Sequence, residues 1–301
     1  ARRMAEQMNA IVAQGGNPAR ERREIKAEMT LQELFDTFLL LYAKGNKRTW
    51  QNDQLFFERY LRVWKLRKLS SITRQDVIAL HSHIGRVNGQ YAANRAIALL
   101  RAMWSRANQD WGLRAINPAE KIRFFKERKR ERFLDGTELP RFFRALELEP
   151  NGAMRDLFLL SLFTGARRSN VQSMRWEEIN WNRAEWRIPA EKAKGDEPIT
   201  IALAPPATDI LARRKASSLS EWVFPSRGAS GHLVEPKTAW ARILKRAHLT
   251  DVRMHDLRRT LGSWQAALGT SLPIIGKSLG HASLQATAIY SRLNLDPVRV
   301  S

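Results

Sequence analysis

The chain has 301 residues, enough for two domains of ordinary size, and 44% of them are hydrophobic, which supports buried cores. Its 51 Lys and Arg against 30 Asp and Glu leave a net charge of +21, which favours a nucleic acid partner over a basic ribosomal or membrane-surface role. The chain lacks Cys, which excludes a disulfide framework and thiolate metal sites, and no apolar run reaches the roughly 20 residues that span a bilayer. We therefore expect a cytoplasmic, DNA-associated protein without a membrane partner.

The N-terminal segment predicts two helices. Residues 1–14 place Met and Ile side chains on one face, and the Gly-Gly-Asn-Pro run at 15–18 interrupts the pattern. A highly charged helical run follows over residues 19–28. By itself this run is typical of a solvated helix without a special role.

Residues 30–126 predict a bundle of four or five helices. Thr30 and Glu33 form a capping box ahead of LQELFDTFLLLYA, and Thr73 caps a later helix. Apolar side chains recur at helical spacing in the first and fourth helices. The residues expected to face inward there are Leu31, Leu34, Phe35, Phe38, Leu41 or Tyr42, Ile97, Leu100, Met103 or Trp104, and Ala107.

Two places in this bundle are predicted to meet DNA phosphates. The first lies at a helix start, where free N–H groups and the helix dipole favour an anion. The second runs along the fourth helix itself. The predicted DNA-binding residues are Lys47, Arg48 and Thr49 at the first place, and Asn94, Arg95, Arg101 and also Arg106 at the second. His81 and His83 are two apart on a helix, so they point in different directions, and we interpret them as surface residues rather than metal ligands.

A charged run joins the two predicted domains. Asn117-Pro118 stops the preceding helix, and seven basic and three acidic residues follow between Glu120 and Arg132. Such a run resists burial and is typical of an extended linker near a polyanion. We place the domain boundary near residue 130.

The second domain begins with a helix capped by Asp135 or Thr137. The apolar run MRDLFLLSLF then leads to a Thr164-Gly165 turn, and Arg167 opens the next helix. Alternation in AEWRIPA and PITIAL predicts a β-hairpin with a turn-rich loop over residues 191–197.

The stretch from His255 to Tyr290 carries the groups most suited to phosphate chemistry. His255 and Arg258 lie three apart, beside an apolar stripe formed by Leu257, Leu261, Trp264 and Leu268. Gly262 falls on the same side, where a side chain would crowd whatever His255 and Arg258 hold.

A helix junction follows this stripe. Gly280 is expected to end a helix, with His281 directly after it. Ser283 could cap the next helix, and Tyr290 would lie near that helix's C-terminal half.

Four motifs in this order resemble those of the tyrosine recombinases, the phage-type integrases. They are Thr-Gly-Ala-Arg at 164–167, His-Asp-Leu-Arg at 255–258, Leu-Gly-His at 279–281, and Tyr290, nine residues beyond that His. The match spans residues 30–293. The sequence departs from the family at Asn170, where Glu is a common choice.

The resemblance implies a mainly α (α+β) protein with two domains and a leading segment. Residues 1–29 would be a helical linker from an N-terminal arm-binding domain. Residues 30–130 would be a helical core-type DNA-binding domain. Residues 131–301 would be a mostly helical catalytic domain with a small antiparallel β-sheet.

The resemblance also assigns catalytic roles. The implied set is Arg167, Lys194, His255, Arg258, His281 and Tyr290. The arginines would neutralise the phosphate, His255 would serve as base or proton relay, and His281 would donate to a non-bridging oxygen. Tyr290 would be the nucleophile. A hairpin lysine would be the general acid, with Lys194 favoured by its place before a glycine and Lys192 as the alternative.

The predicted activity is site-specific DNA recombination through a 3′-phosphotyrosine intermediate. The expected partners are double-stranded attachment sites, a homotetramer on paired sites, and DNA-bending and excision accessory proteins. No cofactor or metal is expected. The alternatives are a type IB topoisomerase-like enzyme and a catalytically silent DNA-binding regulator.

Overall fold

Helices make up most of the chain on both sides of residue 130. The computed structural model describes residues 28–127, 130–193, 196–281 and 283–290. The chain divides into two units, Ala1–Lys129 and Arg130–Ser301. The predicted mainly α fold class with a small antiparallel sheet is confirmed.

Some predictions fall outside the described residues. These are the helix at residues 1–14, nearly all of the charged run at 19–28, and Lys194 with the glycine that follows it. The roles assigned to the three segments of the chain stay predictions.

Four α-helices form the described part of the first unit. They are α1 (Leu31–Phe38), α2 (Trp50–Phe56), α3 (Arg74–Asn88) and α4 (Gln90–Asp110). Helix α1 continues as a π-helical turn, Leu39–Ala43, and a last turn, Lys44–Asn46. Helix α2 continues through a π-helical turn, Phe57–Leu61, and a 3₁₀ turn, Arg62–Trp64. A further 3₁₀ turn, Leu69–Ser71, precedes α3.

The predicted capping and core of this unit are confirmed. The Thr30 hydroxyl accepts from the Glu33 backbone N–H at 3.3 Å, and the Glu33 carboxylate accepts from the Thr30 N–H at 2.7 Å. Thr73 and Asp76 form the same box ahead of α3. The inward faces of α1 and α4 are buried as expected, but in the turn after α1 Leu41 is 59% exposed and its alternative, Tyr42, is half-buried. Phe35 stacks on Phe57 with ring centroids 3.9 Å apart.

The segment after α4 is not a simple solvated linker. Ala119 and Ile122 are buried in the first unit's core, and Phe125 stacks on His81. The run has an apolar residue every few positions between its charges, and these apolar residues pack against the first unit. His81 is itself buried at 5% exposure, so its interpretation as a surface residue is wrong, whereas His83 is exposed.

The second unit has helices around one small sheet. Its described elements are α5 (Glu138–Glu147), α6 (Gly152–Thr164), α7 (Arg168–Gln172), β1 (Ile179–Asn180), β2 (Glu185–Ile188), β3 (Ile199–Ala202), α8 (Pro205–Ala216), α9 (Lys237–Arg246), α10 (Asp256–Ala267), α11 (Leu272–Leu279) and α12 (Leu284–Thr287). Ahead of α5, the Asp135 carboxylate accepts from the backbone N–H groups of Thr137 and Glu138, so Asp135 is the side-chain cap.

The sheet is antiparallel in the order β1-β2-β3. The predicted hairpin is confirmed, with Trp186 opposite Ile201 and Ile188 opposite Ile199. Trp186 and Ile188 face the core, as their alternation predicted. Strand β1 escaped prediction because two residues are too short to show alternation.

Two details near the C-terminus differ from the sequence expectation. Helix α10 ends at Ala267, so Leu268 leaves the apolar stripe and is 82% exposed. Helix α12 ends at Thr287, so Tyr290 follows the helix instead of lying in its C-terminal half.

Candidate active site

The turn after α6 joins two of the predicted catalytic motifs. Gly165 ends α6 in the left-handed conformation, with φ of 57°. A Cβ there would lie 2.5 Å from Leu279 and 2.9 Å from Leu261, so only glycine fits. Its carbonyl accepts a hydrogen bond from Nη1 of Arg258 at 2.7 Å. This turn therefore holds Arg258 close to Arg167, which directly precedes α7.

Arg258 is buried and Arg167 is half-buried, and the two are near enough for their positive charges to interact. Burial, together with the nearby charge of Arg167, lowers the pKa of Arg258 to about 10. Burial also lowers the pKa of Arg167, whose Nη1 is buried without a hydrogen-bond partner among the described residues. Neither guanidinium has a carboxylate partner in the described ranges. An anion placed here would satisfy both.

His255 directly precedes α10 and is exposed at the site. Desolvation by surrounding protein lowers its pKa, and the charges of Arg259 and Arg258 lower it further. His255 is therefore neutral near pH 7, the form that can accept a proton.

Asp256 fixes the beginning of α10. Its carboxylate is fully buried and accepts from Arg130, from Arg259 at 2.6 Å and from the Arg253 backbone N–H at 2.8 Å. Arg130 also pairs with Asp251 at 2.8 Å. These bonds fix the position of Asp256, and therefore the first turn of α10, directly after His255.

His281 sits at a tight junction between α11 and α12. Gly280 is left-handed with φ of 62°, and a Cβ there would lie 2.6 Å from Ile199. The Nδ1 atom of His281 lies 2.7 Å from the Thr287 hydroxyl. Burial lowers the pKa of His281 to about 4, helped by the charges of Arg258 and Arg167, so the ring is neutral at pH 7.

Tyr290 is buried at 2% exposure against Ile275 and Leu279. Its ring lies parallel to that of His281, with centroids 6.3 Å apart. A Cβ on Gly262 would come within 2.5 Å of the Tyr290 ring, so the predicted crowding at Gly262 involves this tyrosine. Burial raises the pKa of Tyr290, while the charge of Arg258 opposes that shift. The phenol is thus protonated at rest.

The structure describes only one of the two candidate lysines. Lys194 lies outside the described residues. Lys192 has a 20% exposed side chain, donates to the Ser173 carbonyl at 2.7 Å and pairs closely with the buried Glu178. Lys192 therefore has a structural role, which leaves Lys194 as the favoured candidate.

Two residues predicted to bind DNA have internal roles instead. Asn94 is 2% exposed, accepts from the Phe125 N–H at 3.0 Å and bonds His81 at 2.9 Å. Arg101 donates to the carbonyls of Ala119 and Ile122. These bonds join α4 to the chain that follows it, so the structure does not support the predicted DNA contact of either residue.

The other predicted DNA contacts are accessible. Arg48 and Thr49 are exposed ahead of α2. Lys47 and Arg95 line one depression of about 290 Å³, each beside a carboxylate: Lys47 with Asp53 at 2.6 Å and Arg95 with Glu127 at 3.5 Å. Arg106 pairs with Asp110 and contacts the Tyr42 ring.

Sequence reasoning missed several supporting residues. Thr287 hydrogen-bonds His281, and Asp256 fixes the start of α10 directly after His255, but an isolated Thr or Asp carries no signal before its partner is known. Asn170, already noted as a departure from the family, is buried, and its Nδ2 has no hydrogen-bond partner among the described residues. Within the described residues, no group of three or more His, Asp or Glu forms a metal-binding cluster, and no helix is long and apolar enough to cross a membrane.

Comparison with known proteins gives several relatives. The integrase of Salmonella phage P22 is 28% identical over 209 residues, covering 65% of this chain and 52% of that protein. Prophage integrase IntF of Escherichia coli K12 is 29% identical, covering 77% of this chain and 52% of IntF. The chain thus spans about half the length of these two relatives. Tyrosine recombinase XerC of Oceanobacillus iheyensis is 29% identical, covering 83% of this chain and 86% of XerC.

Solved structures share the fold. A lambda integrase dimer bound to a COC′ core site has a TM-score of 0.74 at 19% identity, covering 96% of this chain and 86% of that one. A lambda integrase tetramer bound to a Holliday junction has a TM-score of 0.73 at 19% identity, covering 95% and 85%. The model of the phage integrase family matches residues 132–296, more than half of the chain. The chain therefore belongs to the phage integrase family.

Proposed function

We propose that this protein is a site-specific DNA recombinase, an integrase that cleaves and rejoins DNA through a covalent 3′-phosphotyrosine and so integrates or excises a mobile element. One observation carries the proposal. Arg167 and Arg258, whose charges interact, have no carboxylate partner among the described residues, and the ring of Tyr290 lies parallel to that of His281 and within reach of the Arg258 charge. This arrangement suits a bound phosphodiester next to a phenol.

The two arginines neutralise the phosphate. Guanidinium groups stay charged and grip phosphate oxygens in bidentate fashion. Arg258 keeps its charge at pH 7 because its lowered pKa, about 10, is still well above that pH. Their partial burial strengthens the attraction, since nearby water no longer screens it.

The covalent step needs two proton transfers, one from the phenol and one to the departing 5′ oxygen. The Tyr290 oxygen bonds to phosphorus, and the bond from phosphorus to the 5′ oxygen breaks. Neutral His255 accepts the phenol proton, and Lys194 protonates the departing oxygen. His281 is also neutral, so it donates a hydrogen bond to a non-bridging oxygen without adding charge. The reverse steps rejoin the strand.

The expected partners follow from the relatives. Lambda integrase structures contain core-site DNA or a tetramer on a Holliday junction, which supports double-stranded attachment sites and a homotetramer for this chain. Residues 30–130 would grip core DNA, residues 131–301 would cleave it, and residues 1–29 would link to an arm-binding domain. DNA-bending and excision proteins would assist.

A trapping experiment tests the proposal. Wild-type protein is incubated with nicked attachment-site DNA, so that the cleaved end diffuses away and the covalent adduct accumulates on a denaturing gel. We expect an adduct with wild type and none with Tyr290→Phe, although both bind the DNA equally. Adduct formation should persist in EDTA, since the sequence offers no metal-ligand pattern.

Other outcomes would point elsewhere. An adduct that survives in Tyr290→Phe would contradict the choice of nucleophile. Relaxation of supercoiled plasmid without any specific site would indicate a type IB topoisomerase. Tight binding without any adduct would indicate a silent regulator.

A further inference from the structure

Thr287 is the residue that contacts the ring of His281 from α12. Its hydroxyl oxygen lies 2.7 Å from Nδ1 of His281, and its side chain is fully buried. Among the residues that the structure describes, His281 is the single hydrogen-bond partner of this hydroxyl. The bond links His281, directly after α11, to Thr287, the last residue of α12, three residues before Tyr290.

The surroundings keep this hydroxyl in place. A Cβ on Gly276 would lie 2.9 Å from the Thr287 hydroxyl oxygen, so the glycine leaves the space that the hydroxyl occupies. The carbonyl of Gly276 also accepts from the His281 backbone N–H at 2.9 Å. One residue of α11 therefore positions both partners of the bond.

The direction of the bond decides which ring nitrogen carries the hydrogen. A neutral imidazole has one N–H and one acceptor nitrogen, and His281 is neutral at pH 7. If Nδ1 carried the hydrogen, it would donate to Thr287, and the hydroxyl proton would be buried without an acceptor. If the hydroxyl donates to Nδ1 instead, both groups are satisfied. The second arrangement is favoured because an unsatisfied buried donor is costly.

We infer that Thr287 is a positioning residue for the cleavage step. Its hydroxyl donates to Nδ1 of His281, and this fixes the ring orientation and leaves the hydrogen on Nε2, the nitrogen free to donate to a phosphate oxygen. This role rests on the proposed recombinase function. A partner on one ring nitrogen commonly sets the tautomer of a histidine in this way.

Two substitutions at Thr287 distinguish the effect of the hydroxyl group from the effect of side-chain volume. Thr287→Val keeps the volume and removes the hydroxyl, whereas Thr287→Ser keeps the hydroxyl. We expect Thr287→Val to slow adduct formation by about 10- to 100-fold, less than the roughly 10²- to 10³-fold loss on removing an oxyanion donor. Thr287→Ser should stay within about threefold of wild type, and DNA affinity should be unchanged in both.

A double variant tests whether Thr287 acts through His281. In a His281→Ala background, adding Thr287→Val should cause no further slowing, because the bond is already lost. Equal slowing in both backgrounds would mean that Thr287 acts by another route and would overturn the inference.

A spectroscopic readout does not depend on activity. In ¹⁵N-histidine-labelled protein, with His281 assigned through His281→Ala, we expect a hydrogen on Nε2 and a hydrogen-bonded acceptor at Nδ1. The Nδ1 signal should shift toward that of a free acceptor nitrogen in Thr287→Val. A hydrogen on Nδ1 of the wild-type protein would overturn the inference, even if Thr287→Val proved too unstable to assay.

The two proposals fail in different ways. Absence of any adduct with wild-type protein would reject the recombinase function, while the tautomer would still be read from the spectrum. A wild-type adduct together with full activity in Thr287→Val would reject only the role of Thr287.

Discussion

Two groups of arginines in the second unit differ in their counter-charges. Arg213 and Arg214 both pair with the buried carboxylate of Asp156, at 2.7 and 3.3 Å. Arg167 and Arg258 bond to no carboxylate in the described parts of the chain, and Arg258 donates to a backbone carbonyl instead. The first group shares a buried counter-charge, whereas the second has none in the described parts of the chain, so its positive charge is available to an anion. The counter-charge, more than the arginine itself, distinguishes a structural site from a candidate phosphate site.

The largest expected effect breaks this comparison directly. Arg167→Ala or Arg258→Ala should each slow cleavage by roughly 10²- to 10³-fold, because each removes a donor to the phosphate. Arg213→Ala is the matched control: it also removes one positive charge from the same unit, but Asp156 keeps Arg214. The rate of adduct formation under saturating DNA measures both. Similar slowing in the control would show that overall charge, and not the unpaired pair, drives cleavage.

The same contrast applies to the hairpin lysines. Lys194→Ala should cleave normal DNA very slowly but 5′-thio-substituted DNA almost as fast as wild type, because a thiolate leaves without a proton. Lys192→Ala should cleave both substrates nearly as fast as wild type, since Lys192 serves Glu178 and the Ser173 carbonyl. Arg167→Ala should stay slow on both.

Cleavage rates on the two substrates give the answer. Rescue of Lys192→Ala by sulfur would reverse the choice of acid. If sulfur rescues neither lysine variant, His255 becomes the first candidate.

A carboxylate-paired arginine should matter for stability instead. Arg130→Ala leaves the fully buried Asp256 with Arg259 and a backbone N–H, so we expect a loss of about 3 kcal/mol in unfolding free energy, the lower end for a broken buried pair. Chemical denaturation of this variant and wild type measures it. An unchanged unfolding free energy would mean that the pair contributes nothing net.

The pH dependence of that loss has a definite sign. Burial alone raises the pKa of Asp256, but hydrogen bonds from Arg130 and from the Arg253 N–H lower it overall. A lowered carboxyl pKa adds stability above the unfolded value, about 3.9, and that stability disappears as pH falls through the folded pKa. The difference between wild type and Arg130→Ala should thus be full at pH 7 and shrink below about pH 4.

The smallest effect concerns the first unit. Neutralising Lys47, Arg48 or Arg95 should each make the log–log dependence of DNA affinity on salt shallower by about 0.9, one phosphate contact. Asp53 and Glu127 already lie beside Lys47 and Arg95, which limits the change. Neutralising Arg101, which holds backbone carbonyls, is the control and should leave the slope unaltered. Unchanged slopes in all three variants would remove this surface from the DNA interface.

The sequence by itself determined the helical class, the hairpin and the order of the motifs. These depend on local rules: Thr30 and Glu33 cap a helix through neighbours three residues apart, and Trp186 and Ile188 alternate along one strand. Left-handed glycines such as Gly280 likewise mark helix ends whatever the rest of the chain does. The proposed site residues were named from the resemblance of four short motifs to those of the tyrosine recombinases.

Only the tertiary structure decided which polar groups are used internally. Asn94 and Arg101 share a basic helix with Arg95. A segment some 20 to 30 residues later forms hydrogen bonds with the side chains of Asn94 and Arg101, whereas Arg95 stays exposed. Thr287 and Asp256 acquire roles only through partners that folding brings to them. Hydrogen bonding and burial depend on contacts between distant parts of the chain, and spacing along a sequence carries no record of those contacts.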